Sequence, residues 1–262
     1  MKGTTMTPAA LQKTYVPGSS VWQELTATSS KGLATFYRNV LGWELSLDGS
    51  TGVFTQAGEP VASLSVDPLA GPAGTGWQVY LGADDVPAAL LRAEAAGATV
   101  IKEAHQLPVS DEAAVLLRDP EGTIFGIVSV EAARASLPSL MNGHLALVDV
   151  MTHDLTAATA FQAALFPENT LVHVEEGLSI YRDADGRPLR GINVIQEELH
   201  PVLPPHWLAW FVVADQAAAA ESAQASGGSV NVADQPIAFG RWSVVVDPSG
   251  AAFKALELDR AI

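Results

Sequence analysis

The feature that most constrains this chain is that it repeats itself. The stretch "RDPEGTIFGIV" (118–128) returns as "VDPSGAAFKAL" (246–256). In both, an Asp-Pro-x-Gly turn leads into a β-prone run whose third residue is Phe, Phe125 or Phe253. "FYRNVLGWE" (36–44) is answered by "FQAALFPEN" (161–169), and "AEAAGATV" (93–100) by "AQASGGSV" (223–230). Three matches in one order at a nearly constant offset denote a duplicated domain. The copies disagree just after the shared Phe, where one has Gly126 and the other Lys254. The seam is expected in "SVEAARASLPSLMNG" (129–143), which carries Pro, Ser and Gly and little strand pattern.

Each copy divides again. "VWQELTATSSKGLATFYRNVLG" reads as a strand, a polar turn and an amphipathic helix. Leu33, Phe36, Tyr37, Val40 and Leu41 share one helical face, with Ser29–Ser30 as the expected cap and Gly42 at the end. "GWQVYLGADDVPAALLRAEAAGATV" has the same plan, with an Asp84–Asp85 cap, Pro87 in the first turn and Gly97 at the C-terminal end. Short strands follow each helix: "GVFTQ" and "PVASLSV", then "AVLLRD" and "TIFGIV". The second half offers "LSIYRD", "GINVIQE", "WSVVVD" and "AAFKALEL". The expected class is α+β, with four modules near 18–68, 74–130, 143–199 and 205–259. They form an N-terminal tail (1–15), a first domain (16–130), a linker (131–142) and a second domain (143–262).

Composition removes several functions. The 262 residues carry a formal net charge of −15, which repels nucleic-acid phosphates and anionic lipid. No apolar run reaches the ~18 residues of a membrane span. There is no cysteine, hence no disulfide, thiolate metal site or thiol nucleophile. The opening "MKGTTMTPAALQKTYVP" has no apolar signal core, so a cytoplasmic protein is expected. The histidines, His105, His144, His153, His173, His200 and His206, form no HxH or HExxH pattern, and no GxGxxG, Walker or GxSxG motif is present.

The Asp-Pro-x-Gly turns, the "FYRNVLGWE" helix end and the "ADDVPAA" helix start resemble the vicinal-oxygen-chelate superfamily of glyoxalases, bleomycin-resistance proteins and extradiol dioxygenases. "VWQEL", "PPHWLAWFVV" and "FGRWSVVVDPSGAAF" resemble its two-domain glyoxalase-like subgroup, whose members carry labels such as antigen or hydroxylase. The resemblance implies two βαβββ modules per domain, paired into a curved, cup-like sheet around a small-molecule site. It also implies four metal-ligand positions per cup, usually His, Gln or Glu, where a divalent metal acts as a Lewis acid. Carried onto this chain, those positions are Trp22, Ser63 or a neighbour, Gln78 and Gly126. In the second domain they are Leu147, a residue near Asn193, Leu208 and Lys254. Neither set offers two good ligands, and the cation Lys254 opposes a metal directly. A one-residue slip would turn Gln23 inward in place of Trp22.

Period-two alternation then puts Glu24 and Thr26 beside Trp22, and Asp149 and Met151 beside Leu147. Gln78 with Tyr80, and Leu208 with Trp210, come from the neighbouring strands. The expected ligand-binding residues are Trp22, Glu24, Gln78, Tyr80, Asp149, Asn193, Trp210 and Lys254. Trp and Tyr at such places serve either as core or as a ligand platform. Lys254 either holds an anionic ligand group or pairs with Asp149, and Arg241 is placed with it in the second cup. The function read here is metal-free binding of a small organic ligand, with no nucleic-acid or membrane partner, by a monomer or weak homodimer. The alternative is an enzyme: a metal-dependent lyase or dioxygenase, or a metal-free isomerase or hydroxylase with Glu24 or Asp149 as base.

Overall fold

The computed structural model describes residues 16–70, 75–107, 113–130, 140–175 and 178–259. The tail at 1–15 and most of the linker lie outside the described residues. The first domain runs β1 (Ser20–Ala27), α1 (Leu33–Leu41), β2 (Glu44–Asp48), β3 (Thr51–Gln56), β4 (Glu59–Val66), then β5 (Gly76–Ala83), α2 (Val86–Ala95), β6 (Thr99–Gln106), β7 (Ala113–Arg118), β8 (Ile124–Ser129). The second repeats it: β9 (Leu145–Thr152), α3 (Leu155–Leu165), β10 (Thr170–Glu175), β11 (Leu178–Arg182), β12 (Pro188–Val194), then β13 (His206–Val212), α4 (Gln216–Ala225), β14 (Ser229–Ile237), β15 (Gly240–Val246), β16 (Ala252–Leu258). These are two tandem domains of two βαβββ modules each.

Each domain is one eight-stranded mixed sheet, ordered β2-β3-β4-β1-β5-β8-β7-β6 and β10-β11-β12-β9-β13-β16-β15-β14. The first strands of paired modules meet antiparallel at the centre, β1 on β5 and β9 on β13. Each is flanked by a parallel partner, so the expected site strands are all neighbours.

The outer strands β2, β6, β10 and β14 are additions to the strands read from sequence. β2 and β14 are mostly exposed, so no buried alternation marks them. The cap of α1 is a correction. Gly32, with φ 82°, precedes the helix without a side-chain cap, and Ser29 Oγ instead accepts the Lys31 N–H. Gly42 ends α1 in the left-handed region, φ 74°, where a Cβ is strained. For α2 the reading holds: Asp85 Oδ1 accepts the Ala88 N–H at 2.9 Å, and Pro87 sits in the first turn.

One continuous hydrophobic core takes side chains from both sheets and all four helices. Trp77, Val79, Leu81, Phe125 and Ile127 enter it from the first sheet, and Trp207, Phe211 and Phe253 from the second. Phe36 meets Phe253 at 6.3 Å, Trp43 meets Phe211 at 4.9 Å and Phe125 meets Phe161 at 6.0 Å between centroids. Burying each such ring stabilises the fold by about 1.5–3 kcal/mol.

The repeated turns join the two halves. Asp119 Oδ1 accepts the backbone N–H groups of Glu121 and Thr123, and Asp247 Oδ1 those of Ser249 and Ala251. Asp247 Oδ2 also accepts the Tyr37 hydroxyl at 2.8 Å. Glu121 reaches the start of α3, accepting the N–H groups of His153 and Asp154 and the Thr152 hydroxyl. Carboxylates are favoured at a helix N-terminus by its exposed N–H groups. Among the described residues no helix is long and apolar enough to cross a membrane.

Candidate functional site

The face of each sheet away from the shared core is the cup face. Alternation on β1 sends Leu25 and Ala27 to the core and leaves Trp22, Glu24 and Thr26 on the cup side. On β5, Trp77 and Val79 face the core, so Gln78 and Tyr80 face the cup. Trp22, not Gln23, therefore occupies the inward position, and Gln78 faces the same side from the second module. Cross-strand pairing joins Glu24 to Ser63 and Gln78, and Tyr80 to Gly126.

In the first cup these residues form a relay. Trp22 Nε1–H donates to Ser63 Oγ at 2.9 Å, and Ser63 Oγ–H donates to Glu24 Oε2 at 3.0 Å. The Tyr80 hydroxyl donates to Glu24 Oε1 at 3.5 Å. Burial first, then the Glu24 charge, raise the Tyr80 phenol above its ordinary pKa, so it stays a protonated donor. Trp22 and Tyr80 are fully buried, packed with Leu107, Ala114, Leu116 and Val128. Glu24 and Gln78 are half-buried and form the accessible edge.

Gly126 is explained by Tyr80. A Cβ on Gly126 would lie 3.0 Å from Tyr80 Cγ and much closer to Cδ1 and Cε1. The phenol ring occupies the space that a side chain from β8 would need.

The second cup has the same addresses and different chemistry. Asp149 faces Leu208 across β9 and β13, and Trp210 faces Lys254 across β13 and β16. Lys254 Nζ lies 3.0 Å from Asp149 Oδ2. Asn193 Nδ2 and Trp210 Nε1 donate to that same oxygen, each at 2.7 Å. Of the two roles open to Lys254, pairing with Asp149 is the one observed. Asp149 is 0% and Lys254 6% exposed. Arg241 is a correction: it is exposed and pairs with Asp234, whereas Trp242 packs against the cup-face cluster and Lys254. The residue missed was Trp242, one position along. Strict alternation from Val244, Cα partner of Lys254, would have found it.

The described histidine side chains make local bonds. His153 and His200 stack at 3.8 Å, and their Nε2 atoms lie 2.8 Å and 2.9 Å from the carbonyls of Leu203 and Ile195. The His105 side chain lies outside the described residues. His206 shares the β13 face of Leu208 and Trp210, with Nδ1 2.9 Å from the Pro204 carbonyl. Burial, then the charges of Lys254 and His153, hold its pKa below the ordinary value, against the pull of Pro204 and Asp149. Because the unfolded chain takes this proton first, the stabilising contribution is complete above about pH 6.5 and is lost as pH falls. His206→Phe should show a shallower loss of stability than the parent between about pH 7 and 5, measured by denaturant unfolding. Equal slopes would refute that assignment.

Residues 24–128 match the family model of the glyoxalase-like domain. The CFP32 protein of Mycobacterium tuberculosis, provisionally named a glyoxylase, is 29% identical over 259 residues, covering 93% of this chain and 96% of that protein. The anthracycline biosynthesis protein DnrV of Streptomyces peucetius is 27% identical over 266 residues, covering 93% and 94%. Among solved structures, the Mn(II)-bound glyoxalase from Novosphingobium aromaticivorans aligns with TM-score 0.65 at 16% identity, covering 93% of this chain and 83% of that one. The 2,3-dioxygenase LapB from Pseudomonas sp. KL28 aligns with TM-score 0.63 at 14% identity, covering 93% of both. Residues 24–128 form a glyoxalase-like domain, and the solved structures share the fold across both domains.

The divalent metal that the resemblance implies does not fit the residues present here. In the first cup the four positions hold a buried indole, a serine hydroxyl already bonded on both sides, an amide and a glycine closed over by Tyr80. In the second, the Lys254 ammonium lies against the cup's carboxylate. Among the described residues no three His, Asp or Glu side chains converge. Both cups are lined for hydrogen bonding and packing.

Proposed function

We propose that the chain binds a small organic molecule in its first cup without a metal ion, as a glyoxalase-like binding protein. One observation carries this reading. Glu24 is held in place by the Ser63 and Tyr80 hydroxyls yet stays half-exposed beside Gln78, while its counterpart Asp149 is sealed. A preorganised carboxylate with an adjacent amide recognises a ligand that presents hydrogen-bond donors. Trp22 and Tyr80 behind them keep that carboxylate rigid and limit water around it. The relatives named for glyoxylase activity and for anthracycline biosynthesis have, by those names, small organic molecules as their business. The strongly acidic surface disfavours nucleic acid and anionic membranes, which suits a soluble, cytoplasmic setting. One chain supplies both halves of the shared core, so a monomer or weak homodimer suffices.

An enzymatic role centred on Asp149 is disfavoured, because three donors crowd its Oδ2 and no part of it reaches solvent. Glu24 is the carboxylate that could touch a substrate.

The test is a thermal-shift screen of the full chain against small phenols and aromatic amines. A ligand should raise the melting temperature with dose, by mass action. Glu24→Gln should weaken it by about tenfold or more, equivalent to 1.4 kcal/mol. Ligands that bind the parent and Glu24→Gln equally would place the site elsewhere.

A further inference from the structure

The second cup is more than closed; it is shaped around a positive charge. Lys254 Nζ sits 3.9 Å from the centroid of Trp210 and 4.5 Å from that of Trp242. The two indoles are 6.3 Å apart and inclined at 42°, so they form two walls of a cage. Asp149 is the third wall, 3.0 Å from the nitrogen. Aromatic faces attract a cation through their quadrupole, and most strongly where water is excluded. Asn193 and Trp210 fix Asp149 by donating to the oxygen that also takes the ammonium. Among the described residues Asp149 Oδ1 is buried without a hydrogen-bond partner, so the ammonium, the indole and the amide all converge on Oδ2. Leu147, Ile180 and Leu256 close the surroundings with apolar side chains.

We infer that the second cup is a recognition site for a primary alkylammonium group, and that Lys254 is its tethered occupant. The internal cation stands at a position that the sequence resemblance assigns to a metal ligand, and it holds the cup's carboxylate without a metal. A bound N–H distinguishes this site from one for quaternary ammonium, because Asp149 requires a donor. The two cups are then variants of one solution. Tyr80 swings a phenol over Gly126 to reach Glu24, and Lys254 sends an ammonium past Trp210 to reach Asp149. This inference does not depend on a ligand binding in the first cup.

Chemical rescue tests it. Lys254→Ala in the full chain should melt below the parent. Tens of millimolar n-propylammonium or n-butylammonium chloride should restore about half of the lost melting temperature or more by occupying the vacated cage. The neutral n-butanol should not, and the parent should respond to neither. Equal rescue by butanol, or no rescue of a folded Lys254→Ala protein, would overturn the inference. If that variant does not fold, the parent provides the measurement. The chain has five lysines, Lys2, Lys13, Lys31, Lys102 and Lys254, resolvable by peptide mass spectrometry. Reductive methylation of Lys254 should run more than about tenfold slower than that of the exposed Lys31, because it must wait for local opening. Comparable rates would equally overturn it.

Discussion

Asp149→Ala should destabilise the protein by about 3–5 kcal/mol, the cost of leaving a buried charge without its partner. The Lys254 ammonium, the Trp210 indole N–H and the Asn193 amide would lose one shared acceptor in a place water does not reach. At about 2–4 °C per kcal/mol for a chain of this size, the melting temperature should fall by roughly 6–20 °C. The double change Asp149→Leu with Lys254→Met should recover only part of that loss, because it removes the buried charge but leaves the Trp210 and Asn193 donors without their acceptor. Denaturant unfolding of the parent and these two variants measures this. A loss below about 1 kcal/mol for Asp149→Ala, as for an exposed pair, would show that the second cup is open to water.

Gly126→Glu, which puts back the carboxylate expected of a metal-binding relative, should be the most damaging change in the first cup. Its first side-chain carbon would collide with the Tyr80 ring, which is itself fully buried. Overpacking of this kind costs about 1–3 kcal/mol and occasionally more. The new carboxylate would also lie near Glu24, whose cross-strand partner strand carries Tyr80. Gly126→Ala isolates the steric part. Adding Tyr80→Ala to it should recover more than about 1 kcal/mol relative to the sum of the single changes, the signature of residues in direct contact. Additive effects would mean that the ring and the glycine do not share the space.

Much of this was legible in the sequence because it follows from period and repetition. The duplication placed all four modules, the resemblance placed Trp22, Gln78 and Lys254, and period-two alternation placed Glu24, Tyr80, Asp149 and Trp210 on the cup faces. The outer strands β2 and β14 were not legible, because a strand exposed on both faces has no burial pattern to read. Arg241 was assigned a place belonging to Trp242, since a one-residue slip moves a side chain to the other face. The fit of Tyr80 over Gly126 and the choice of Asp149 by Lys254 are contacts between strands far apart in sequence. No spacing along one strand encodes them. The Tyr37–Asp247 bond across the two domains is of the same kind, linking a helix of one repeat to the turn of the other.

Native mass spectrometry of the purified full chain, with elemental analysis of the same sample, tests the central claim most directly. The account predicts no stoichiometric manganese, iron, nickel or zinc even after incubation with those ions. It predicts a small organic adduct on the parent that is lost in Glu24→Gln. One divalent metal per chain, retained through desalting, would contradict it.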